Sequence, residues 1–362
     1  MFSSFHTACF TFLFTISIAF VVQPLCGQSN ASEEDVHDAQ AASAHGHSRH
    51  GASLAVYRRY VHFASLNQEQ SRYTEAERYY QLAHDEAATL FGDRSVEALK
   101  LVNCLGETYL EEGRIGEADR YFHQALFGLE ADQGADKLDR TIVLNNLAVT
   151  QHLAGNLSKS VALMRKVVGT FESNPASRSE NLGSALSNLA AMLHQGGALT
   201  EARTTAQRAV AILERCTNSD NFAVSLLTLG RVLLDEGDPA DAEASLERAL
   251  KSAENLSSEE TPTKALILGQ LAVLYSRTGR DPEADAYFRH SMEMDRRLLS
   301  PWHPSLLDVM SVYADFLRVS KRKGEAKKLE AYVREQKEKY RAQNPSLGLI
   351  VDARNLRAEG GR

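Results

Sequence analysis

Asparagine is the residue type whose placement in this chain most invites a chemical reading. Asn103, Asn145, Asn146 and Asn188 each lie inside an otherwise apolar stretch. A carboxamide offers both a donor and an acceptor, which suits the backbone amides of a second chain. Ser187, Thr228, Gln270, Arg231 and Arg277 lie in comparable stretches, with His152 and His194 nearby in sequence register. Catalytic chemistry finds no such support. Glu111-Glu112 and Glu259-Glu260 are adjacent carboxylates, but both pairs fall at helix ends or turns and read as solvated charge. His45, His47 and His50 could hold a metal weakly, yet no cysteine or carboxylate pair completes a tight site, and low-complexity linker is the better reading. The sequence holds no Gly-rich phosphate loop, no His-Glu-x-x-His and no Cys-x-x-Cys. No enzyme activity, no cofactor and no metal are therefore expected.

The surrounding composition is that of an ordinary folded chain. Of the 362 residues, 43% are hydrophobic and 24% charged, so the chain can bury a core. A net charge of −7 gives no footprint for nucleic acid. The stretch from Arg318 onward is locally basic and reads as a solvated helix face. Residues 8–22 carry no charge, and Pro24 and small polar residues follow. That pattern resembles a secretory signal, with a mature start near Gln28, or else an uncleaved anchor over residues 1–27. An exported chain, whether periplasmic, secreted or membrane-tethered, is the resulting expectation. Residues 28–52 lack large apolar side chains and read as a flexible linker. Beyond the leader only Cys104 and Cys216 remain, too far apart to form a disulfide framework, and both read as small packing residues.

From about Leu54 the chain repeats itself. One small residue recurs as Ala76, Ala118, Ser160, Ala202, Ala242, Ala284 and Ala326, in steps of 42 residues with a single step of 40. Five residues earlier stands a glycine, Gly113, Gly155, Gly197, Gly237 and Gly279, replaced by Ser71 and Lys321 in the outer copies. Each copy reads as two helices. Leu101, Leu105, Tyr109 and Leu110 have helical spacing before the glycine, and Ala118, Phe122, Ala125 and Leu129 have it after. Glycine ends the first helix because it tolerates the left-handed conformation, and the small residue allows two helices to approach closely. Atypical end copies are expected, since a terminal unit must cap the core.

In this register Leu105, Gly106, Tyr109, Gly113, Ala118, Phe122 and Ala125 resemble the tetratricopeptide repeat. The 42-residue step, the phrase from Thr141 to Asn156 and the His-Pro-led entry at Pro301 to Leu317 resemble its kinesin-light-chain subtype. The resemblance implies an all-α fold: a right-handed superhelical solenoid of about seven helix-turn-helix repeats over residues 53–341, with a tail over 342–362. That tail's apolar run, Leu347, Leu349, Ile350 and Val351, is expected to fold back over the open end. The family binds a peptide or partner protein in a concave groove lined by first helices, where Asn grips peptide backbone. The implied partner-binding residues are Asn103, Asn145, Asn146, Ser187, Asn188, Arg231, Gln270 and Arg277, expected to stand clear of the helix-packing stripe. The family's carboxylate clamp of Lys, Asn and Arg is not met, because Asn103, Glu107, Ser184 and Asn188 occupy its places. A non-catalytic interaction scaffold is the first reading. A docking subunit of an envelope enzyme or secretion assembly is the alternative.

Overall fold

The computed structural model of the protein describes residues 54–132, 134–173, 179–216 and 220–343. The leader or anchor, the linker with its three histidines, and the tail from Asn344 lie outside the described residues. Fourteen α-helices occur among the described residues, and no strand. They are α1 Leu54–Glu69, α2 Tyr73–Phe91, α3 Val96–Glu111, α4 Ile115–Ala131, α5 Lys137–Leu153, α6 Leu157–Glu172 and α7 Ser179–Gln195. There follow α8 Leu199–Leu213, α9 Asp220–Glu236, α10 Pro239–Leu256, α11 Pro262–Arg277, α12 Asp281–Leu298, α13 Pro304–Val319 and α14 Lys323–Gln343. First and second helices alternate seven times along the chain, giving the helical solenoid of paired units that the repeat predicts. The packing divides the chain into two units, with the division between Gly196 and Gly197. The N-terminal unit holds α1 to α7 and the C-terminal unit α8 to α14.

The two kinds of helix start differently, for reasons visible in the sequence. Four of the first helices begin after a connector and take a side-chain cap. Ser95 accepts from the Ala98 amide, Asp136 from Leu138, Thr261 from Lys264, and the His303 ring from Ser305. Each such cap contributes about 1 kcal/mol. Second helices begin directly out of a tight turn whose left-handed residue is Gly113, Gly155, Gly197, Gly237 or Gly279, with φ between 77° and 89°. In the outer copies Ser71 and Lys321 adopt the same turn, at φ 56° and 64°. The turn is therefore imposed by the packing of the pair, and glycine is the residue that meets it without a Cβ penalty.

All seven ruler residues are buried, Ala76, Ala118, Ser160, Ala202, Ala242 and Ala284 completely. The Ser160 hydroxyl turns back to donate to the Leu157 carbonyl, so a polar residue fits this apolar place. Gly106 shows how tight the crossing is. A Cβ there would stand 2.7 Å from the Phe122 ring, which is itself fully buried. Phe122, Leu129, Leu101 and Leu105 fill the space between α3 and α4, each contributing roughly 1.5–3 kcal/mol by burial.

Neighbouring repeats are fastened by a recurring clasp. An acid early in a second helix meets the end of the next first helix. The Tyr109 hydroxyl donates to Glu77 at 2.6 Å, and the Arg114 guanidinium lies 4.3 Å over the Tyr109 ring. Gln151 donates to Asp119 at 2.8 Å. In the C-terminal unit Arg280 donates to Glu243 at 2.7 Å and stacks 4.0 Å over Tyr275. Tyr313 donates to Asp285 at 2.6 Å, and Arg322 joins the same carboxylate. Between α8 and α9 the polarity is reversed, with Arg203 donating to Glu236 at 3.0 Å.

Candidate partner-binding residues

In the N-terminal unit the first helices α3, α5 and α7 lie side by side and carry a continuous ladder of side-chain hydrogen bonds. The Asn188 amide donates to the Asn145 carboxamide oxygen at 3.2 Å, and Asn145 donates to the Asn146 oxygen at 3.0 Å. Asn146 donates to the Asn103 oxygen at 3.3 Å and to the Glu107 carboxylate at 3.0 Å. Asn103 in turn donates to the same Glu107 oxygen at 2.6 Å. All five side chains are almost completely buried, as is Ser187. Thus the structure brings Asn103, Asn145, Asn146 and Asn188 together and corrects one expectation about them. They do not stand clear of packing but occupy the seam between first helices. The physical cause is that a buried amide must be bonded, and the matching amide of the next repeat is its nearest partner.

Glu107 is the residue that sequence reasoning missed. Burial pushes its carboxyl well above the usual carboxylate range, and Glu111 adds repulsion that the Asn103 and Asn146 amides only partly offset. Burial likewise raises Glu111, to about 7, with Gln68 bonding it and Glu69 opposing it. Tyr80, whose hydroxyl donates to Gln68 at 3.0 Å, closes the cluster from α2. The available signal was an acid one helical turn after Asn103 in an apolar stretch.

Arg231, Gln270 and Arg277 sit in the C-terminal unit, on the adjacent first helices α9 and α11. Arg231 occupies the place in its repeat that Glu107 occupies in its own. It is 7% exposed, and burial lowers its guanidinium to about 10, with Asp235 favouring the cation and Arg277 opposing it. The Arg277 Nη1 contacts the Asp235 carboxylate. Gln270 is 4% exposed. Thr228, on the same helix as Arg231, is bonded to the Val224 carbonyl of its own helix at 3.0 Å. His152 is buried in α5, and His194 is half-buried in α7. Among the described residues no group of three or more His, Cys, Asp or Glu is placed to hold a metal ion.

Two stretches, residues 181–255 and 265–305, match family models described as Tetratricopeptide repeat. No curated protein matches the sequence. A Rap protein complexed with Competence and Sporulation Factor is similar in fold, at 15% identity and a TM-score of 0.65 over 80% of this chain and 77% of that one. The apo form of RapI is similar at 12% identity and a TM-score of 0.58, over 79% of this chain and 99% of that chain. The apo form of the quorum sensor NprR from B. thuringiensis is 14% identical, with a TM-score of 0.58 over 78% and 75%. At these identities the likeness is one of fold. The expectation of an exported chain is corrected at this point. The chains similar in fold are a Rap protein and the quorum sensor NprR, and no helix among the described residues is long and apolar enough to cross a membrane. An uncharged run of fifteen residues is shorter than the ~20 of a spanning helix, and without a basic residue before it the run is weak ground for export.

Proposed function

We propose, from the premise that this chain is a tetratricopeptide-repeat protein, that its first-helix faces bind an extended peptide or a helix of a partner protein. The 42-residue step and the Leu-Asn-Asn-Leu-Ala phrase around Asn145 and Asn146 further support a kinesin-light-chain-like subtype. One observation carries the binding reading. Two polar side chains on the first helices of the C-terminal unit, Arg231 and Gln270, are buried where packing alone asks for apolar ones. Burying such groups costs free energy that an apolar seam would not, so their retention needs a reason beyond the core. Peptide recognition is such a reason. The Rap structure described as complexed with Competence and Sporulation Factor is a helical-repeat fold holding a partner molecule, which favours the same mode here.

Selection of a displayed random-peptide library on the whole chain tests the reading. We expect enriched sequences whose binding weakens when Arg231 or Gln270 is changed, with helicity by circular dichroism intact. Enrichment of peptides indifferent to every first-helix substitution would place the binding surface on the second helices instead.

A further inference from the structure

We propose that the last two repeats meet at a proton-operated seam: α12 and α13 close on one another while the Asp295 carboxyl is protonated, and its ionisation parts them and releases α13 and α14. The starting observation is the register. Asp295 stands eleven residues after the ruler residue Ala284. Earlier repeats carry Leu129, Phe171, Leu213 and Ala253 at that place, all of them buried. Asp295 is buried as they are, at 3% exposed, yet among the described residues its carboxyl accepts no hydrogen bond and meets no cation. Burial alone raises that carboxyl, to about 7. An apolar place favours the neutral acid, because a bare charge buried without a partner is far costlier than a protonated carboxyl.

The surroundings of Asp295 offer it no counter-charge. Ser291, one turn earlier on the same face, donates to the Ala265 carbonyl of α11 at 2.7 Å. A Cβ on Gly269 of α11 would stand 3.1 Å from the Ser291 hydroxyl and 3.4 Å from Val309 of α13. This face of α12 therefore lies between α11 and α13, the two helices packed against it. The start of α11 faces Asp295, and its Lys264 ammonium is bonded to the Ser257 and Glu259 carbonyls at 2.5 and 2.6 Å. From the start of α13 come His303, whose ring accepts the Ser305 amide, and Asp308, itself an acid. Tyr275 and Arg277 of α11, and Tyr313, Asp315 and Arg318 of α13, lie toward the opposite ends of their helices. On α12 itself Arg296 is exposed, and Arg297 is bonded to Glu260 and Glu293. Within the C-terminal unit the packing of α13 on α12 is also the thinnest between successive helices. It is closed by Phe288, whose ring lies 5.2 Å from Tyr313 and 5.6 Å from Phe316. Among the described residues α13 and α14 form the last pair, so parting this seam disturbs no repeat beyond it. A released α13 leaves the row of first helices α9, α11 and α13. The sign follows from the raised value. An unfolded aspartate ionises near about 3.9, so the stabilisation is fully present below that pH and is lost as pH rises through about 7.

The single tryptophan, Trp302, lies half-buried in the connector between α12 and α13 and so reports on the seam. The test titrates the whole chain from pH 5 to pH 9, following Trp302 emission and amide exchange corrected for the intrinsic rate. Emission is expected to move to longer wavelength with a midpoint near about pH 7. Protection in α13 and α14 is expected to fall at least tenfold, while that in α9 and α10 changes less than twofold. Asp295→Leu installs the side chain that two other repeats carry and is expected to abolish both changes. Asp295→Asn, close in size and uncharged, is expected to do the same and serves if the leucine disturbs the fold. His303→Asn keeps a helix cap, removes the neighbouring imidazole and is expected to keep the transition. A flat titration of the parent overturns the proposal, as does an unchanged transition in the Asp295 variants. A transition lost in His303→Asn and kept in those variants assigns the switch to the imidazole and overturns it equally.

Discussion

Glu107 is where the polar ladder of the N-terminal unit converges, and its chemistry makes two outcomes measurable. Asn146 supplies it with a donor and also joins the Asn103 and Asn145 amides. Asn146→Ala therefore leaves several buried polar atoms short of a partner, and a stability loss of about 1–3 kcal/mol is expected in urea unfolding. Pairing it with Glu107→Gln should cost less than the two single changes combined, because the residues share one network. Strict additivity would mean that the ladder is not coupled. The second outcome is pH dependence. Burial raises Glu107 and brings Glu111 to about 7, so the folded unit holds protons that the unfolded chain releases near the usual carboxylate value. The Glu111 contribution is fully present below about pH 4.3 and is lost as pH rises through about 7. Amide protection in α3 and α5 should then fall between pH 5 and pH 8, and Glu111→Gln should flatten that fall. An unchanged slope in the variant would show that Glu111 is not the titrating group. At this scale the sequence was half legible. It placed Asn146 and Asn188 at matching points of successive repeats, but not their burial. Whether an amide faces a partner or its own neighbour depends on how closely α3, α5 and α7 approach, which spacing along one chain does not state.

Among the elements, the helix-pair turn invites the clearest intervention. Lys321 and Ser71 hold the left-handed conformation that five glycines hold elsewhere. That conformation costs a side-chain-bearing residue roughly 1–2 kcal/mol. Lys321→Gly should raise the melting temperature of the C-terminal unit, less any loss from a more flexible unfolded chain. Gly279→Ala should lower it, and the two variants measured together separate the turn from its surroundings. No shift in either would mean that the turn relaxes freely. The helices themselves were readable from sequence. The ruler from Ala76 to Ala326 gave the pairing and register, because a 42-residue step is a covalent fact. The clasp was not readable. Tyr109 with Glu77, Arg280 with Glu243 and Gln151 with Asp119 are different residue pairs serving one role, and only their meeting in space reveals it.

For the whole molecule, the repeat sets how far along the chain any contact must reach. The side-chain bonds named between neighbouring repeats join residues 28 to 43 positions apart, from Tyr313 with Asp285 to Asn188 with Asn145. The expectation of export fared worse at this scale, because apolarity of a short run reports a transfer preference and not a destination. The short reach of the contacts bears on how the protein is made. Each repeat needs only its successor to emerge from the ribosome before its own seam can close, so folding can keep pace with synthesis. A nascent chain stalled once α1 to α6 have cleared the exit tunnel should already resist protease through α1 to α5. Cleavage there until the last helix is released would show instead that the early repeats wait for the late ones. A growing chain that closes behind itself exposes about one unfinished repeat at a time, whatever its final length, and so presents chaperones with a small and constant target.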